Sequence, residues 1–107
     1  FLEELFSYAK VGNPTEWELD FIIKQNEIFL EKFQVADKAI DYMRSVAIRN
    51  LGFLYIMKGD YQKAIEKYNV YLQYAIDNNL DEEIIKKVNI RLNHLKERLK
   101  DKQKEIK

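Results

Sequence analysis

Apolar residues recur along this chain at spacings of three and four, the period of a helix, from the first residues to about residue 99. Leu2, Leu5, Phe6 and Ala9 form one stripe over residues 1–11, and Gly12-Asn13-Pro14 ends it. Thr15 then reads as an N-cap, with Glu18 three residues on completing a capping box. Over residues 16–34, Leu19, Ile22, Ile23, Phe29, Leu30 and Phe33 are expected to point inward. Trp17, Phe21 and Ile28 form a second strip, so this helix is expected to touch neighbours on two sides. No Gly or Pro enforces the next break, at residues 35–37, although Asp37 can cap a helix. Lys-Ala-Ile-Asp-Tyr-Met at 38–43 echoes Lys-Ala-Ile-Glu-Lys-Tyr at 63–68. It leaves no room for a turn before Ser45, so residues 37–58 read as one long helix.

Residues 45–58 are apolar nearly all round, the mark of a helix buried between neighbours. Gly52, in mid-helix, costs about 1 kcal/mol against Ala, which is tolerable where a facing helix must come close. Gly59 suits a left-handed C-cap, and Asp60 caps the next helix. That helix places Ala64, Ile65, Tyr68, Leu72 and Ala75 on one side and runs to Asp77 before Asn78-Asn79. The last helix starts after Asp81, with Glu82 and Glu83 at its positive end. Its stripe of Ile84, Ile85, Val88, Leu92, Leu95 and Leu99 fades by Lys102, and residues 101–107 are expected to fray.

The order Leu51-Gly52, Tyr55, Gly59-Asp60-Tyr61, Ala64, Tyr68 resembles the tetratricopeptide repeat (TPR) pattern over residues 45–78. Ile48 stands at the family's early aromatic, Tyr71 at an expected alanine and Ile76 at the terminal proline. The resemblance implies an all-α fold of antiparallel helical hairpins, stacked as a solenoid fragment of about five helices. Residues 81–105 would form the capping helix, and residues 1–107 one domain. It also implies a scaffold that binds another protein in a groove lined by the first helix of the hairpin. Carried over residue by residue, that groove comprises Val46, Arg49, Asn50, Phe53, Ile56 and Met57. Val88-x-Ile90-Arg91 repeats Val46-x-Ile48-Arg49 at a spacing of 42, which adds Arg91, with Lys87 and Arg98 nearby. Arg49 and Asn50 are similar to positions by which some members hold a peptide's terminal carboxylate, although Phe53 stands where a second Asn often occurs. Arg49 has two readings: it pairs with a carboxylate of its own chain, such as one in residues 16–41, or it reaches an acidic or carboxylate-ended peptide.

Composition narrows the function classes. Hydrophobic residues make up 47% and charged residues 34%, enough of each for a soluble core, and three Gly with one Pro argue against an all-β chain. With zero formal net charge, bulk charge does not point to nucleic acid. The charge is nevertheless uneven: residues 1–43 carry net −5, residues 44–85 net −1 and residues 86–107 net +6. Lys and Arg near a helix C-terminus account for the basic end electrostatically, and a patch for an acidic partner is the sharper reading. No stacking platform or groove-reading motif accompanies the charge.

Cysteine is absent, which excludes disulfide and thiolate chemistry and leaves the compartment open. No uninterrupted apolar run approaches the roughly 20 residues that span a bilayer. Starting at Phe1 within a helical stripe, with no signal peptide, the chain reads as a fragment or a mature product. His94 is the lone histidine, there is no Cys/His cluster and no phosphate loop, so neither a cofactor nor an enzymatic activity is expected. The acidic run Asp77, Asp81, Glu82, Glu83 lacks the glycine of a calcium loop and suits helix capping. Self-association through Trp17, Phe21 and Ile28 is the second functional reading.

Overall fold

The computed structural model describes residues 15–34 and 37–105. They form four helices: α1 (Glu16–Lys32), α2 (Lys38–Lys58), α3 (Tyr61–Asp77) and α4 (Glu82–Glu105), with no strand among the described residues. The helix expected over residues 1–11 lies outside the described residues.

Each helix begins where a short polar side chain meets its first turn. Thr15 Oγ1 accepts from the Glu18 amide at 3.2 Å, while Glu18 Oε1 accepts from the Thr15 amide at 3.2 Å. Asp37 Oδ1 accepts from the Ile40 amide at 2.8 Å, and Asp60 Oδ1 from the Lys63 amide at 3.2 Å. Asp81 Oδ1 accepts from the Glu83 amide at 3.0 Å. Two helices end in a left-handed residue. At Gly59 (φ 79°) the Gly59 amide donates to Ile56 O and the Asp60 amide to Tyr55 O, both at 2.9 Å. At Asn79 (φ 51°) the Leu80 amide reaches Ala75 O at 2.9 Å and the Asn79 amide reaches Ile76 O at 3.2 Å. Both are Schellman ends, which satisfy carbonyls that a helix terminus leaves open.

Among the described helices, α1 packs on α2, α2 on α3 and α3 on α4, and no other pair of helix backbones comes close. This sequential hairpin-like packing is a helical-repeat arrangement, in which each element rests only on its chain neighbours. Lys58 Nζ lies 2.5 Å from Asp20 Oδ1 and 3.4 Å from Glu16 Oε1, tying the end of α2 to the start of α1. At the other end, Arg44 Nη1 donates to Leu30 O and Phe33 O, both at 2.6 Å, and so caps α1 from α2. Lys102 Nζ donates to Gly59 O at 2.6 Å and stands 5.3 Å from the Tyr61 ring centroid. That anchor explains why α4 continues to Glu105 instead of fraying from residue 101.

The core runs through all four helices: Leu19, Ile22 and Ile23; Leu51, Leu54 and Tyr55; Ala64, Ile65, Tyr68 and Tyr71; Val88, Leu92 and Leu95. Gly52 and Ala64 are both buried at the α2–α3 contact, and the Tyr68 ring lies flat where a Gly52 side chain would be. On α1 the burial differs from the apolar pattern. Asn26 is fully buried, donating to Ile22 O at 2.9 Å, whereas Phe33 is 47% exposed. Trp17 is 72% exposed, and its ring stacks on Phe21 at 5.8 Å rather than on a second described neighbour.

Candidate functional site

The feature that gathers the basic residues is a trough between α2 and α4, with α3 beneath it. Helical spacing puts Arg49, Phe53 and Ile56 on one line of α2. Lys87, Arg91 and Arg98 lie on one line of α4. Each of the two helices packs on α3, and their backbones do not come together across the trough. The upper part of the trough is a hollow of about 470 Å³ between Arg49 and Phe53 on one wall and Ile84, Lys87 and Arg91 on the other; Tyr68 and Tyr71 line it from α3. It continues into a hollow of about 630 Å³ lined by Ile56, Lys87, Ile90, Arg91, His94, Leu95 and Arg98, with Glu97 and Asp101 as its acidic members.

Arginine and tyrosine alternate across the upper part. The Arg49 guanidinium carbon stands 5.8 Å from the Tyr71 ring centroid, and that of Arg91 is 5.8 Å from the Tyr68 centroid. Each such contact contributes about 0.5–2 kcal/mol and holds a guanidinium over a ring face. The repeated segment at residues 46–49 and 88–91 thus has a structural counterpart, because both arginines rest on tyrosines three residues apart on α3. Burial pushes the Tyr68 phenol above its ordinary range; the charges of Arg91 and Arg49 oppose that push. Its hydroxyl is therefore neutral at physiological pH.

Among the described residues the carboxylates of residues 16–41 pair elsewhere or not at all with these arginines. The ion pairs join Lys58 to Glu16 and Asp20, and Lys63 to Asp60; no carboxylate pairs with Arg49 or Arg91. What the arrangement offers is two forked cations, a third and fourth at Lys87 and Arg98, and an apolar floor.

Of the nine residues that the sequence assigns to a groove, six line the trough, Arg49, Phe53, Ile56, Lys87, Arg91 and Arg98, and Val46 lines neither hollow. Asn50 does not. It is fully buried, and neither its Nδ2 nor its Oδ1 has a hydrogen-bond partner. A residue one step along a helix from Arg49 is turned by about 100°, which carries Asn50 away from the trough. Met57 is half-buried against the core and lines neither hollow. Tyr68 and Tyr71 were legible only as packing residues. Their three-residue spacing opposite two arginines of a repeated segment is the signal that marks them as the floor.

His94 is exposed beside Arg91 and Arg98 and shares the lower hollow with Glu97 and Asp101. No group of three or more His, Cys, Asp or Glu among the described residues could hold a metal ion. No helix among them is long and apolar enough to cross a membrane.

Comparison with protein-family models, with curated proteins and with solved structures finds no match.

Proposed function

We propose that this chain is a non-catalytic interaction module of tetratricopeptide-like type, which holds a segment of another protein in the trough between α2 and α4. The observation that carries this reading is the pair Arg49 and Arg91. Both are poised over tyrosines across an open apolar floor, and no carboxylate among the described residues claims either of them. A partner with acidic side chains or a terminal carboxylate supplies the missing charge, since a guanidinium fork matches a carboxylate in two parallel hydrogen bonds. Nucleic acid is disfavoured by the short cationic line and the absence of exposed rings along it. The tyrosines of the floor are buried and not free to stack on bases.

The test compares proteins recovered on the immobilised wild type, on Arg49→Glu/Arg91→Glu, and on the control Lys96→Glu, which lies outside both hollows. Circular dichroism verifies that each variant is folded. Partners that the control keeps and the double variant loses support the trough; identical recovery on all three overturns it.

A further inference from the structure

We infer that the acidic helix α1 of a second copy of this chain docks against the basic line of α4. This rests on the reading of the trough as a docking surface and names its occupant.

The two helices carry matched, opposite charge. Glu16, Asp20, Glu27 and Glu31 follow spacings of four, seven and four along α1. Lys87, Arg91, Arg98 and Lys102 follow the same spacings along α4. At about 100° per residue, each set falls within a stripe roughly 60° wide. Each stripe is about 22 Å long at 1.5 Å per residue. The sequence of spacings reads the same in both directions, so it permits either orientation, and the existing contacts choose between them. Glu16 and Asp20 are already engaged by Lys58, and Lys102 is held on Gly59 O. Antiparallel docking sets Glu16 beside Lys102, both already engaged, and Asp20 beside Arg98, and it joins Glu31 with Lys87 and Glu27 with Arg91, four residues that form no ion pair among the described residues. Parallel docking would instead direct Lys87 and Arg91 to the acids that Lys58 holds.

Shape and polarity agree. Beside its acidic stripe α1 exposes the stacked rings of Trp17 and Phe21, apolar surface that antiparallel docking brings to the Arg98 end of the trough, where Ile56 lies. A stripe on one copy meeting a different stripe on the next is a heterologous contact, which leaves both ends open to further copies.

The experiment is sedimentation velocity on the whole chain from about 10 μM to about 1 mM, the range for a small interface. The wild type is expected to gain mass with concentration and to lose it in about 1 M salt, where screening acts over only about 3 Å. Glu27→Lys/Glu31→Lys and Lys87→Glu/Arg91→Glu are each expected to stay monomeric. Mixed one to one, they re-form the complementary pair and associate. A wild type that is monomeric throughout overturns the inference, as does undiminished association of either variant alone, or a mixture that stays monomeric. Circular dichroism on both variants separates lost docking from lost folding. If the wild type is monomeric while Arg49→Glu/Arg91→Glu still loses its recovered partners, the trough stands and only the second copy falls.

Discussion

A β-carbon placed on Gly52 would stand 2.8 Å from Cε2 and 2.9 Å from Cδ2 of Tyr68. The α2–α3 hairpin is therefore closed by a ring lying on bare backbone. Because Arg91 sits over the same ring, the hairpin contact and the trough share one side chain. Gly52→Ala is expected to destabilise the fold by up to about 2 kcal/mol. Its helix-propensity gain of about 1 kcal/mol is outweighed by overpacking that costs about 1–3 kcal/mol. Urea unfolding checks this, and the loss should shrink in a Tyr68→Leu background.

Arg44 is the second clamp. It supplies donors to two carbonyls at the end of α1 that no residue of α1 can reach. Arg44→Met is expected to lower the stability by about 1–3 kcal/mol, the range for hydrogen bonds from a charged donor. Arg44→Lys should recover only part of it, because both bonds leave one terminal nitrogen, Nη1, which lies one bond further from the backbone than a lysine ammonium. Protection of the α1 amides in hydrogen exchange should fall first.

The Lys58–Asp20 and Arg44–Leu30 contacts fix the antiparallel register of α1 and α2, and that register brings Asn26 and Asn50 to the same level. Three of their side-chain atoms, Asn26 Oδ1 and both polar atoms of Asn50, have no partner. An unpaired buried amide gives back desolvation energy when it is removed. Asn50→Ala should stay within about 1 kcal/mol of wild type. Leu51→Ala, equally buried next to it, should cost about 2–5 kcal/mol. Equal losses at the two positions would mean that the Asn50 amide is satisfied in solution.

Stability should hold through neutral pH and fall above about pH 10. Tyr68 and Tyr55 are both pushed above their ordinary value of 10.0, burial being the largest cause for each. Above pH 10 the unfolded chain releases those protons while the fold retains them, so unfolding is favoured. Lys58 acts in the same direction. Its hydrogen bond to Asp20 raises it above 10.5, and that contribution is lost as pH rises through the raised value. Urea midpoints measured from pH 7 to pH 12, with tyrosinate absorbance followed in parallel, test the sign. A midpoint that is flat to pH 12 contradicts it.

The helices themselves were written in short-range chemistry. Thr15 with Glu18, Asp37, Asp60 and Asp81 act within three residues of where they stand, and Gly59 needs only its own freedom at positive φ. Such signals survive without knowledge of the rest of the chain, which is why element order, the long α2 and the Gly-Asp turn could all be read from the residues. Gly52 and Ala64 also announced a close approach, although not that Tyr68 would fill it.

Tertiary structure decided which faces are buried and what stands opposite them. Periodicity put Phe33 inside and passed over Asn26, yet a helix face is buried only where a neighbour covers it, and Asn26 is fully buried while Phe33 is 47% exposed. The same logic turned Asn50 into the core while Arg49, its neighbour in sequence, remained at the trough. That Arg49 and Arg91 stand over Tyr71 and Tyr68, instead of pairing with described carboxylates, depends on how α3 holds α2 and α4 apart. Distances between residues remote in the chain are set by packing, and no spacing within one helix encodes them.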